Sequence, residues 1–208
     1  VSVAEALEYD LTQVETISEH SQHKEKLRIS AELTILQGGL IKVLNELIPE
    51  EENVNFEVSM YMKSLAFGET DIALSYAKPN DGRVVRVKIK DISLKAYVNR
   101  NFQSSVEGWI EILDQIESLD WSAPLAARFG TEPKIGIHGL NVARQLMDKQ
   151  PLVAMLPTAY AEQFDDLIEF EELETSDIPI WLSYHESRRH DPLVRKTVTS
   201  LVDALRDS

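Results

Sequence analysis

The sequence predicts an α/β fold built on a mostly parallel sheet with crossover helices. Three observations predict it. Stretches with apolar residues at every second position take turns with stretches of helical period between residues 26 and 205. Turn-forming residues such as Pro79-Asn80-Asp81-Gly82 separate them. The chain is 43% hydrophobic, enough to bury a sizeable core, yet holds no run of eighteen apolar residues that could span a membrane. Strand–helix–strand alternation favours parallel pairing because each helix carries the chain back to start the next strand.

Taken in order, Val3 to Ile17 reads as a helix. Ala4, Leu7, Leu11 and Val14 form one seam, suited either to a second helix or to its own domain. Polar residues 18–25 read as a linker. Lys26 to Ser30 is a short strand. Thr34 to Ile48 is a helix on Leu36, Leu40, Val43, Leu44 and Leu47, stopped by Pro49. Val54 to Tyr61 is a strand with Val54, Phe56, Val58 and Met60 inward. Asp71 to Tyr76, Arg83 to Ile89 and Ile92 to Val98 are further strands. Val106 to Leu119 reads as helix, broken by Trp121-Ser122-Ala123-Pro124. Lys134 to Ile137 is a strand, Leu140 to Lys149 a helix and Leu152 to Leu156 an apolar strand. Pro157 to Phe164 reads as a helix with Pro157 in its first turn. Leu167 to Glu172 and Ile180 to Tyr184 are strands. The last helix opens with Asp191 as N-cap and Pro192 at its first position.

Composition narrows the function. The net charge of −14 repels nucleic acid, whose binding depends on Lys and Arg meeting phosphates, so any DNA contact belongs to another segment. The absence of cysteine excludes disulfides, thiol catalysis and cysteine-bound zinc. No basic region followed by an apolar stretch opens the chain, so a secretion signal is not read and the expected location is the cytoplasm. The start at Val1 rather than Met reads as a piece of a longer protein.

No enzyme motif emerges. GxSxG, GxxxxGK[ST], GxGxxG and HExxH are all missing, so neither a cofactor nor a metal is expected. His20 and His23 lie in the polar linker. His185 and His190 flank Arg188-Arg189 at a strand-to-helix junction, which reads as solvated charge. Gly38-Gly39 falls inside the first helix and reads as close packing or a partner contact. The row Arg83, Arg86, Lys88, Lys90 and Lys95 reads as a solvated outer face. What remains is geometry: in open α/β sheets ligands sit beyond the carboxyl ends of strands, against helix N-termini. Those places carry Glu32, Thr34, Tyr61, Lys63, Asn99, Arg100, His138 and Asn141, a set suited to a small polar or partly aromatic ligand. Thr34 and the helix N-termini favour a carboxylate.

Several segments, in order, resemble the effector-binding domain of LysR-type transcriptional regulators. Lys26 to Ile29 (KLRI) looks like the family's first strand, with Thr34 near its Ser/Thr at the following helix start. Gly68 to Leu74 (GETDIAL) resembles its G-x-x-D-hydrophobic-A-hydrophobic strand. Pro133 to Pro157 looks like the stretch that ends in a G-hydrophobic-P strand, and Trp181 to Leu205 resembles the closing strand and helix. His185 to Pro192 (HESRRHDP) is similar to the branch of nodulation and aromatic-degradation regulators. The sequence departs from the family at the short stretch between Tyr61 and Gly68, at Lys149-Gln150-Pro151 where Gly-Leu-Gly is usual, and in the compact region between Phe102 and Lys134.

The resemblance implies two Rossmann-like lobes of the type 2 periplasmic-binding-protein kind, preceded by a linker helix. Residues 1–24 would be the end of that helix and a linker; 25–90 plus 172–208, lobe I; and 91–171, lobe II. The two crossings would fall near Lys90–Asp91 and Glu171–Leu173. It further implies a small-molecule effector between the lobes, a homodimer or homotetramer, and DNA contact only through an N-terminal winged helix-turn-helix outside this chain. The helices Thr34 to Ile48 and Pro192 to Leu205 are expected at subunit interfaces. The rivals are a freestanding solute-binding protein of the same fold, disfavoured by the helix ahead of the first strand, and a small α/β enzyme, disfavoured by the lack of a nucleophile motif.

Overall fold

A computed structural model describes residues 25–50, 54–79, 83–113, 121–130, 132–171, 173 and 177–207. The seam at 3–17, the linker histidines, the tip of the 79–82 turn, Glu172 and residues 114–120 lie outside the described residues.

The first sheet has the order β2-β1-β3-β10-β4. Its strands are β1 (Glu25–Ala31), β2 (Val54–Ser59), β3 (Ile72–Ser75), β4 (Val84–Ile92) and β10 (Ile178–His185). The second sheet has the order β7-β6-β8-β5-β9. It comprises β5 (Leu94–Asn99), β6 (Gly108–Ile112), β7 (Ile135–Ile137), β8 (Leu152–Pro157) and β9 (Leu167–Glu169). Each sheet is mixed in the same way. In the first, β10 runs antiparallel to both of its neighbours, while β1 is parallel to β2 and β3. In the second, β5 is the strand that runs against β8 and β9, while β6 is parallel to β7 and β8. The odd strand is in each case the one that enters from the other sheet. The parallel strands point their carboxyl ends at the crossing, so a strand arriving through the crossing must run the other way. The outward crossing is short: β4 ends at Ile92, Ser93 intervenes, and β5 begins at Leu94.

Helices cover the sheets. Helix α1 spans residues 33–50 in three pieces: α-helical at Leu33–Ile35, π-helical at Leu36–Leu40 and α-helical again at Ile41–Glu50. Ile41 N donates to Leu36 O, five residues back, which closes the wider π turn. Pro49 does not stop the helix, which runs one residue past it. The others are α2 (Ala123–Phe129), α3 (Leu140–Met147), α4 (Thr158–Ala161) and α5 (Pro192–Asp207). Pro157 is the last residue of β8 rather than part of the helix behind it.

The largest difference from the sequence reading is β6, a strand where a helix is expected over Val106 to Leu119. Trp109, Ile110 and Ile112 are all buried, because β6 sits between β7 and β8 with both faces covered. A strand buried on both faces loses its period-two signature and is indistinguishable by pattern from a short buried helix. Along β2 the outer end is exposed: Val58 and Met60 face solvent, as an edge strand permits.

One apolar cluster runs from the first sheet across the crossing, joining Leu27, Ile72 and Leu182 to Leu94, Val98 and Met155. Tyr76 from the end of β3 meets Trp121 edge to face at 5.0 Å, a direct apolar contact between the lobes. A second cluster, including Ile110, Leu140, Met147 and Tyr160, fills the other face of the second sheet.

Candidate functional site: a cavity at the crossing of the two lobes

A cavity of about 250 Å³ lies where the lobes meet. It is built from the residues that follow parallel strands, as the topology dictates. After β1 the chain stays extended at Glu32 (φ −60°, ψ 142°) and then turns into α1. Glu32 does not cap that helix with its side chain. Its Oε1 accepts from Tyr76 N at 3.1 Å, tying the exits of β1 and β3 together. This places Thr34 on the cavity wall with no solvent exposure, and its Oγ1 has no hydrogen-bond partner. A buried hydroxyl without a partner costs about 1–3 kcal/mol, so it is a group that a ligand can satisfy.

One turn on, Gly38 and Gly39 form a stretch of wall without side chains. A Cβ at Gly38 would meet only Leu140 Cδ1, at 3.9 Å, so packing does not require glycine there; its effect is to keep the wall open. The crossing contributes Lys90, Asp91 and Ser93, and the second lobe contributes Thr158 and Glu162. Burial holds the Lys90 amine below the usual lysine range. Ile35, Ile92, Ile180 and Leu205 supply apolar surface. The lining thus combines an unsatisfied hydroxyl, an amine, carboxylates and an apolar body, a set suited to reversible binding of a small organic molecule. The volume falls just short of the roughly 300–1,000 Å³ of sites for drug-sized ligands.

Of the eight residues singled out in the sequence, Thr34 alone lines this cavity. Glu32 lies next to it, engaged with Tyr76. Tyr61 is 73% exposed on the loop after β2, and Lys63 pairs with Glu57 at 3.5 Å. Asn99 is buried at the far end of β5, where its Nδ2 donates to Asp166 Oδ2 (2.9 Å) and Asp148 Oδ1 (3.2 Å). Arg100 donates to Asp165 O at 2.9 Å. His138 is exposed just ahead of α3. Asn141 Oδ1 accepts from the Tyr160 hydroxyl at 2.8 Å.

The residues that the sequence reading missed at the site are mainly Lys90, Ser93, Thr158 and Glu162. Lys90 belongs to the basic row read as a solvated face, but the crossing turns it into the cavity wall. The Gly38-Gly39 pair was the available signal, since two glycines in succession leave a stretch of helix without side chains.

No family model and no curated protein matches the sequence. Solved structures match the fold. The regulatory domain of CrgA, a LysR-type transcriptional regulator from Neisseria meningitidis, superposes with a TM-score of 0.72 at 14% identity, over 86% of this chain and 98% of that one. The regulatory domain of MexT, a transcriptional activator in Pseudomonas aeruginosa, gives 0.68 at 15%, over 88% and 100%. Full-length CbnR, solved with its target DNA, gives 0.64 at 14%, over 98% of this chain and 82% of that one. The chain therefore has the two-lobed α/β fold of LysR-type regulatory domains.

Proposed function

We propose that this chain is the effector-sensing domain of a LysR-type transcriptional regulator, acting in the cytoplasm as a homo-oligomer and not as an enzyme. A small carboxylate binds in the cavity at the crossing and biases the angle between the lobes. The observation that carries the reading is the wholly buried, unpartnered Thr34 hydroxyl on the wall of an inter-lobe cavity. The fold shared with CrgA and MexT supports it. A ligand shifts such an equilibrium only by its differential affinity for the two arrangements, and a site shared by both lobes provides that difference. DNA contact would come from a segment outside these 208 residues, since a chain of net charge −14 repels phosphates.

Thermal-shift measurement against a panel of carboxylates and their neutral amides tests this. A specific ligand at about 100 times its Kd stabilises the fold by roughly 2.7 kcal/mol. The expected result is a melting point raised by a carboxylate and not by its amide, with the response weakened about tenfold in Thr34→Val. That variant removes an unsatisfied hydroxyl and should leave the ligand-free protein at least as stable. A panel in which only neutral ligands stabilise would defeat the carboxylate assignment. A Thr34→Val protein that responds as strongly as the native one would remove Thr34 from the site.

A further inference from the structure

Helix α3 of the second lobe starts without a cap of its own. Its N-cap position is Gly139, which has no side chain to offer. The first N–H groups of a helix have no partner within it, so they look outward. Here they find the first lobe. Gln37, 103 residues earlier on the π segment of α1, extends its carboxamide across the cleft. Its Oε1 accepts from Leu140 N at 2.6 Å and from Asn141 N at 3.4 Å. Gly139 is shaped to receive it. The glycine has φ +84°, a conformation that L side chains rarely adopt. A Cβ there would lie 3.0 Å from Gln37 Oε1 and 3.2 Å from both Gln37 Nε2 and Leu33 Cδ2. A Cβ at 139 would make Gln37 and Leu33 give way by a few tenths of an ångström.

The π segment Leu36–Leu40 therefore serves two structures at once. Gln37 reaches to the second lobe, while Gly38 and Gly39 form the cavity wall next to it. An occupant of the cavity would touch Gly38 and Gly39, the two residues that directly follow Gln37. Opening the cleft would release the N–H groups of Leu140 and Asn141 to water.

We propose that Gln37 is an inter-lobe clasp: as the borrowed N-cap of α3, it holds the lobes closed, and the state of the cavity acts through it. The regulatory half of this proposal rests on the effector reading above; the clasp itself does not. Exchanging a neutral hydrogen bond of this kind for water shifts a two-state ratio by about three- to tenfold. The clasp is therefore strong enough to bias the lobes and weak enough for a ligand to override.

The chain has no cysteine, so spin labels can be placed at will. Asn55→Cys on the exposed edge of the first lobe and Gln150→Cys on the second make one inter-lobe pair. The distance distribution is read in the full chain without ligand. Gln37→Ala should move the closed-to-open ratio by about three- to tenfold toward open. Gln37→Glu should keep the native distribution, because its carboxylate accepts the same two N–H groups at the positive end of the helix dipole. An unchanged distribution in Gln37→Ala overturns the clasp, as does a Gln37→Glu protein that opens as far as the alanine variant. If Gln37→Ala opens the lobes while no carboxylate stabilises the protein, the clasp stands and the effector reading falls.

Discussion

Tyr160 shows how a single side chain reports its surroundings. Its ring is buried beside Phe164 and its hydroxyl donates to Asn141 Oδ1 at 2.8 Å. Burial pushes its pKa from 10 up to about 12, against a smaller opposing pull from the nearby Arg144 guanidinium. The folded state thus holds this proton more tightly than the unfolded chain does. The stabilisation is fully present below pH 10 and is lost as the pH rises toward 12. Tyr160→Phe, followed by urea unfolding across this range, should lose about 1 kcal/mol below pH 10 with the hydrogen bond. It should then lose on the order of 1–2 kcal/mol less than the native protein between pH 10 and 12. Parallel stability curves for the two proteins would contradict the burial argument. Nothing in the sequence singles out Tyr160, because its partners come from α3 and from the loop before β9. Thr34, by contrast, is legible: it lies at a helix start just after a strand, a local pattern that needs no tertiary contact to be seen.

Among the elements, α5 is the one whose sequence signals and structure agree most closely. Asp191 Oδ1 accepts from Leu193 N at 2.9 Å and Val194 N at 3.1 Å, and Pro192 follows at the first helical position. Asp191 also pairs with Arg188 at 2.9 Å in a half-exposed ion pair. Asp191→Ala should cost about 1 kcal/mol by chemical denaturation. Asp191→Asn keeps the cap and loses the ion pair, so most of the native stability should return. If asparagine does no better than alanine, the ion pair and not the cap anchors this helix. The apolar stripe of α5, expected at a subunit interface, packs instead against its own lobe: Val194, Leu201 and Leu205 are all buried. A stripe announces that a helix is covered on one side but does not say by what. The same ambiguity explains β6 and the missed helix α2, since a short apolar run and a Pro-led turn each fit more than one local structure.

For the molecule as a whole, the faces left uncovered matter most. Helix α1 buries Leu40, Val43, Leu44 and Leu47, yet exposes Ile41 (45%) and Ile48 (50%). The edge strand β2 and the loop after it also expose Val58, Met60 and Tyr61, and the second lobe exposes Ile135 on its edge strand β7 and Val142 on α3. If the protein assembles as proposed, α1 and not α5 offers the apolar surface for it. Combining Ile41→Asp with Ile48→Asp should weaken self-association at least tenfold in sedimentation velocity. Because both side chains are already about half exposed, the folded stability should change by roughly 0.5 kcal/mol or less each. Unaltered self-association would move the interface away from α1.

The sequence by itself determined the α/β class, most strand positions, the cap of α5 and the place of Thr34, because each follows from local periodicity or from neighbours within a few residues. The tertiary structure decided the rest. Whether a strand is buried on one face or both made β6 unreadable. The direction in which a strand enters a sheet made β5 and β10 antiparallel. The crossing between lobes turned Lys90 from an outer face into a cavity wall. It also set Gln37 against the start of α3, a contact between residues 103 positions apart that no local pattern can announce.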